Sequence, residues 1–81
     1  MMKYKPFITL GACRKNAGLK QSELAAILNV SVTTVKNWEK YEHVPPADKL
    51  MMLSKLSKVP LDFIILSKEL AKTVNDSDNK K

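Results

Sequence analysis

Four side chains in the stretch VSVTTVKNWEK, residues 30–40, have the chemistry to read base-pair edges. Asn37 can bond bidentately to adenine, Lys36 can donate to guanine, and Val32 and Thr33 offer methyl groups to thymine. At helical spacing these four lie on one side, and Val35 and Trp38 lie on the other. Other chemistries find little to use. The chain has one His and one Cys. His43 has no second metal ligand near it and reads as a loop residue. No carboxylates pair in register, and no Gly-rich phosphate loop is present. Neither an enzyme nor a cofactor or metal site is expected.

Such a reading face needs elements that hold it up. Helical spacing recurs along the whole chain, and no alternating apolar and polar run suggests a strand. Pro6 suits the first turn of a first helix, with Phe7, Leu10 and Cys13 spaced by three. Gly18 should close it in the left-handed conformation, with Leu19 folding back over the last turn. Gly11 weakens this helix by roughly 1 kcal/mol relative to Ala, and would allow a close approach by another backbone. A second helix starts near Gln21, with Glu23 in its first turn, where the helix dipole favours a carboxylate. Leu24, Ile27 and Leu28 form its expected buried face. Asn29 can take positive φ at the bend. Ser31 is a good N-cap for the third helix, able to accept from the amide of Thr33 or Thr34.

The run EHVPP, residues 42–46, reads as a loop. A fourth helix is expected from about Pro46 to Ser57, with Leu50, Leu53 and Leu56 inward. A fifth is expected from about Leu61, with Leu61, Ile64 and Ile65 as its core stripe, continuing through residues 67–74. The end, NDSDNKK, residues 75–81, is polar and expected to be disordered. The helix-turn-helix unit is assigned to residues 1–66.

Eighty-one residues allow one small domain. The net charge is +6 and uneven: residues 1–41 carry seven basic side chains against two acidic, and the rest carry seven against six. A basic half points to an anionic partner. One cysteine excludes an internal disulfide and fits a reducing compartment. Next to Arg14, on the inner face of its helix, Cys13 reads as a small buried hydrophobe. No segment approaches 18 continuous apolar residues, and the first residues lack a signal-peptide run, so a cytoplasmic protein without membrane contact is expected.

Two helices joined by a bend of three or four residues cross steeply, so that one can lie across a nucleic-acid backbone while the other enters the major groove. Ala25 is small enough for the crossing, and Val30, Val35 and Trp38 fill the wedge behind it. The segments RKNAGLKQSELA, NVSVTTVKNWE and LMMLSKLSKVPLDFI resemble the helix-turn-helix of the Cro/CI-type (Xre) family of phage and bacterial regulators, over about residues 7–66. The resemblance implies an all-α, lambda-repressor-like bundle of five helices that binds a double-stranded DNA operator, usually as a dimer. It implies that Gln21 holds a phosphate. Lys20, which places a cation near the backbone, is expected as a further backbone contact together with Ser31, Thr34 and Lys40. The resemblance also implies base contacts from Val32, Thr33, Lys36 and Asn37, and a structural ion pair between Arg14 and Glu39.

Three positions depart from the family pattern. Asn29 stands where Gly is usual at the bend. Lys20 stands where Ser or Thr usually caps the second helix, a loss of about 1 kcal/mol. Tyr41 stands where Gly often ends the recognition helix, and because a left-handed Tyr is costly, the third helix is expected to run on or end differently. Phe63, Leu66, Leu70 and Val74 form a second apolar stripe if the fifth helix is continuous, which predicts a homodimer through about residues 59–74. The same exposed apolar residues also suit the alternative of a protein-interaction module, such as an antitoxin or antirepressor acting through a partner protein.

Overall fold

The computed structural model describes residues 7–72 of the chain. Four α-helices span Leu10–Asn16 (α1), Gln21–Leu28 (α2), Val32–Glu39 (α3) and Ala47–Ser57 (α4). A single 3₁₀ turn follows at Leu61–Phe63, and the chain is helical again over residues 68–72 (α5). The all-α, five-helix architecture expected from the sequence is therefore present. Pro6, Val74 and the tail at 75–81 lie outside the described residues.

Three of the helices end in the same way. The Leu19 N–H reaches the Arg14 carbonyl and the Gly18 N–H reaches Lys15, with Gly18 at φ +77°. At the end of α2, Val30 N–H reaches Ala25 and Asn29 N–H reaches Ala26, with Asn29 at φ +60°. These paired bonds satisfy carbonyls that a helix end would otherwise leave open. The end of α3 repeats the motif through Glu42 to Asn37 and Tyr41 to Trp38, with Tyr41 at φ +63°. The helix thus stops where a glycine would have stopped it, and the expectation of a longer or different ending is corrected.

Packing pairs α1 with α4 and α2 with α3, and α1 also touches α3. Leu10 and Cys13 of α1, Leu24, Ala25 and Leu28 of α2, Val35 and Trp38 of α3, Leu50 and Leu53 of α4, and Ile64 form one buried cluster. Trp38 is core, as its register with Val35 predicts. Cys13 is fully buried, and burial pushes its thiol up to about 11, partly offset by a hydrogen bond with Ser57. It is an inert packing residue rather than a nucleophile. Asn16 ties the ends of α1 and α4 by donating from Nδ2 to the Ser57 carbonyl at 2.9 Å.

Four expectations about this core need correction. Helix α1 begins at Leu10, not near Pro6, because the Thr9 hydroxyl caps it by accepting from the Ala12 N–H. Phe7 precedes that cap and stays exposed. Ile27 is 43% exposed, since Leu24, Ala25 and Leu28 alone face α3 and the core. The fifth helix does not run from Leu61, and Leu61 is 42% exposed.

Ile64 is extended (φ −85°, ψ 125°) and forms a parallel bridge with Ile8. Ile8 N–H donates to Phe63 O and Ile65 N–H donates to Ile8 O, each at 2.9 Å. β-Branched residues accept an extended backbone readily, and here it buries Ile64 and Ile65 while stitching the two ends of the domain together. A stripe through Phe63, Leu66 and Leu70 is consequently not one face of one helix. Phe63 packs edge-on against Phe7, with ring centroids 6.3 Å apart, and Leu66 and Leu70 are each 43% exposed.

Candidate nucleic-acid interface

The bend between α2 and α3 is made by three residues with separate tasks. Asn29 supplies the left-handed conformation (φ 60°, ψ 48°). Val30 returns a backbone bond to Ala25 and packs against the core. Ser31 caps α3, its hydroxyl accepting from the Thr34 N–H at 3.0 Å and bonding the Thr34 hydroxyl at 2.9 Å. Ala25 is buried where α2 meets α3, so the two helices approach closely without a long side chain between them.

Once Val35 and Trp38 are anchored inward, helical periodicity fixes what faces out. Val32, Thr33, Lys36 and Lys40 are exposed, and Ser31 at the N-cap is exposed beside them. Asn37 is half-buried at the edge of this face. It lines a shallow groove of about 480 Å³ together with Thr34, Trp38, His43 and Val44. Thr34, placed among the backbone contacts by the sequence, is half-buried, and its hydroxyl is engaged by Ser31. His43 sits on the exposed loop beside the helix, as its sequence context suggests.

Behind this face lies a charged cluster that orients α3. The Arg14 guanidinium donates from Nε to Glu39 Oε2 at 2.6 Å and from Nη2 to Oε1 at 3.1 Å. Its Nη1 donates to the Leu19 carbonyl at 2.9 Å. The two side chains are only 12% and 13% exposed, so this bidentate pair is well shielded from water. Gly11 makes room for it, because a Cβ there would stand 3.2 Å from Glu39 Oε1. The close approach that Gly11 permits is thus to a side chain of α3, not to a backbone.

Gln21 joins the same cluster, donating from Nε2 to Glu39 Oε1 at 3.0 Å. Its side-chain amide nitrogen is therefore held inward, while the residue still opens α2. Lys20 precedes it, exposed, and its side chain has no acceptor with which to cap the helix. Half of a capping box compensates: Glu23 Oε1 accepts from the Lys20 N–H at 2.8 Å.

The role of one residue of this region escaped the sequence reading. The Tyr41 hydroxyl accepts from the Leu10 N–H at 3.0 Å and donates to the Ile65 carbonyl at 2.6 Å. A single oxygen thus joins the end of α3, the start of α1 and the segment leading to α5. Burial raises the Tyr41 phenol above its ordinary value, against the opposing effect of the Leu10 N–H. The signal was present as a tyrosine where glycine is usual, but nothing local says what its hydroxyl reaches.

Among the described residues no group of three or more His, Cys, Asp or Glu could hold a metal ion. None of their helices is long and apolar enough to cross a membrane.

No solved structure matches this chain. A curated relative, the HTH-type transcriptional regulator ImmR of Bacillus subtilis, is 33% identical over 69 residues, which is 85% of this chain and 54% of the relative. The chain thus spans about half the length of that protein. A helix-turn-helix family model matches residues 10–64, from the first residue of α1 to Ile64, and so takes in α1 to α4 with the bend and the Arg14–Glu39 pair. With its bend at Asn29, its cap at Ser31 and its Arg14–Glu39 brace, the chain belongs to the helix-turn-helix family of the Xre type.

Proposed function

We propose that this protein is a DNA-binding transcriptional regulator that inserts α3 into the major groove of an operator and acts as a Cro/CI-type repressor by occupancy. The observation that carries the proposal is the outward row of Val32, Thr33, Lys36 and Lys40 on a helix whose opposite side is locked by Val35, Trp38 and Glu39. In this reading Lys36 and Asn37 contact guanine and adenine edges, and Val32 and Thr33 pack on thymine methyls. Lys20, Lys40, Ser31, Thr34 and the N-terminal amides of α2 beginning at Gln21 hold the phosphate backbone. The relative's description as a transcriptional regulator supports the same reading.

A homodimer through Phe63, Leu66 and Leu70 would set two copies of α3 about one DNA turn, roughly 34 Å, apart. The exposure of Leu66 and Leu70 beside the half-buried Phe63 supports this assembly. The same exposure also favours a second reading, an interaction module that acts through another protein.

Selection of bound sequences from random duplex DNA, followed by titration of the recovered site, tests the proposal. Asn37→Ala should lose roughly 1–3 kcal/mol on that site and relax preference at one base pair. Affinity should fall steeply with salt, as phosphate contacts displace condensed counterions. Failure of the purified chain to enrich any sequence or to bind duplex at low salt would favour the interaction module.

A further inference from the structure

A second positive surface adjoins the end of α3. An open groove of about 430 Å³ is lined by Glu39, Lys40, Tyr41 and Glu42 from the end of the recognition helix and by Lys68, Ala71 and Lys72 from α5. Lys68 and Lys72 are one helical turn apart and so project from the same side of α5. They are held there by two anchors. Ala71 is buried at 3% exposure, and the Tyr41 hydroxyl fastens the segment before α5 through the Ile65 carbonyl.

The acceptors nearby are already engaged. The Glu39 carboxylate is taken by Arg14 and Gln21. The last carbonyls of α3 accept backbone bonds from Lys40, Tyr41 and Glu42. Among the described residues, Lys40, Lys68 and Lys72 form no ion pair. Among the described residues that line the groove, Glu42 is the one carboxylate left to offset them, so the lining keeps a net positive charge.

We propose that Lys68 and Lys72 form, with Lys40, a second phosphate-binding surface that grips the DNA backbone flanking the recognition helix. This rests on the reading of α3 as a major-groove helix. Eight residues of α3 span about 12 Å. The major groove is about 12 Å wide, so the end of α3, capped by Lys40, lies near the wall of the groove where phosphates run. Lysines sharing a groove with Lys40 meet the same strand. Contacts of this kind add affinity without reading sequence.

The test uses the full chain and a random-sequence duplex of about three turns, with affinity measured by fluorescence anisotropy across salt concentrations. The double variant Lys68→Gln/Lys72→Gln is compared with Lys55→Gln/Lys58→Gln, which removes the same charge from residues outside the groove. Removing two phosphate contacts should lower the salt slope by roughly 2, so between 50 and 200 mM salt the unaltered protein loses about tenfold more affinity than the groove variant. The preferred bases found by selection should not change. All four lysines are exposed, and unchanged thermal unfolding of both variants establishes that the fold is intact. Equal slopes for the groove and control variants would overturn the proposal while leaving α3 as the DNA reader. Absence of duplex binding by the unaltered protein would overturn both.

Discussion

Tyr41→Phe removes one oxygen and leaves the ring. Two backbone groups lose their partner, the Leu10 N–H and the Ile65 carbonyl, at a site that is only partly buried. An unsatisfied buried group costs about 1–3 kcal/mol, and water can reach part of this site, so a loss of about 2 kcal/mol is expected. For a domain of this size that is a drop in Tm of roughly 10 °C. Tyr41→Gly sets two effects against each other. Glycine relieves the left-handed conformation at φ +63°, a gain of about 1–2 kcal/mol. It also loses the same two hydrogen bonds and the packing of the ring against the core, which together come to about 4 kcal/mol. The hydroxyl tie and the ring should win, leaving Tyr41→Gly less stable than the unaltered protein by about 2–3 kcal/mol. Urea unfolding followed by circular dichroism measures both variants, with unchanged m-values confirming that compactness is kept. A glycine variant as stable as the original, or a phenylalanine variant within about 0.5 kcal/mol of it, would refute the account of Tyr41 as a three-way tie.

Arg14→Ala and Glu39→Ala should each cost about 3 kcal/mol, because each strands a shielded charge; a double-mutant cycle should show coupling above about 1 kcal/mol, and coupling near zero would mean that the pair does not brace α3. Gly11→Ala gains helix propensity of roughly 1 kcal/mol but presses on Glu39 Oε1, so it should be neutral or destabilising, and a clear gain in Tm would count against that contact. The Cys13 thiol is raised from 9.0 to about 11, so its contribution is complete below pH 9 and is lost as pH rises toward 11. Over that window stability should fall by about 2–3 kcal/mol. Cys13→Ala should flatten the decline, and an unchanged slope would show that the thiol is not its source. If the proposed homodimer forms, the original protein should sediment as a dimer and Phe63→Glu as a monomer at the same concentration; a monomeric original protein, or identical behaviour of the two, would exclude residues about 59–74 as a dimer surface.

The ends of α1 and α2 and the cap of α3 were legible in the sequence because the groups that make them lie within about six residues of one another. Gly18, Asn29 and Ser31 each act on backbone groups in their own turn. The burial of Leu24, Leu28, Val35 and Trp38 followed from helical periodicity, and with it the outward placement of Val32, Thr33 and Lys36. The Arg14–Glu39 pair needed more, since its partners lie 25 residues apart, and only the resemblance to a family placed them together.

Tertiary structure decided what depends on distant segments. The run from Leu61 to Leu70 has helical spacing, yet Ile64 is extended because Ile8 offers it a bridge and a buried site. Ile27 fits a buried stripe yet stays 43% exposed, because the core closes on Leu24, Ala25 and Leu28 instead. Tyr41 accepts a strained backbone because its hydroxyl finds Leu10, 31 residues away, and Ile65 at once. Local sequence sets the periodicity and hydrogen-bonding capacity of a segment. Which of its faces is covered, and whether an intrinsically costly conformation is repaid by contacts, depends on the surfaces that the rest of the chain brings against it.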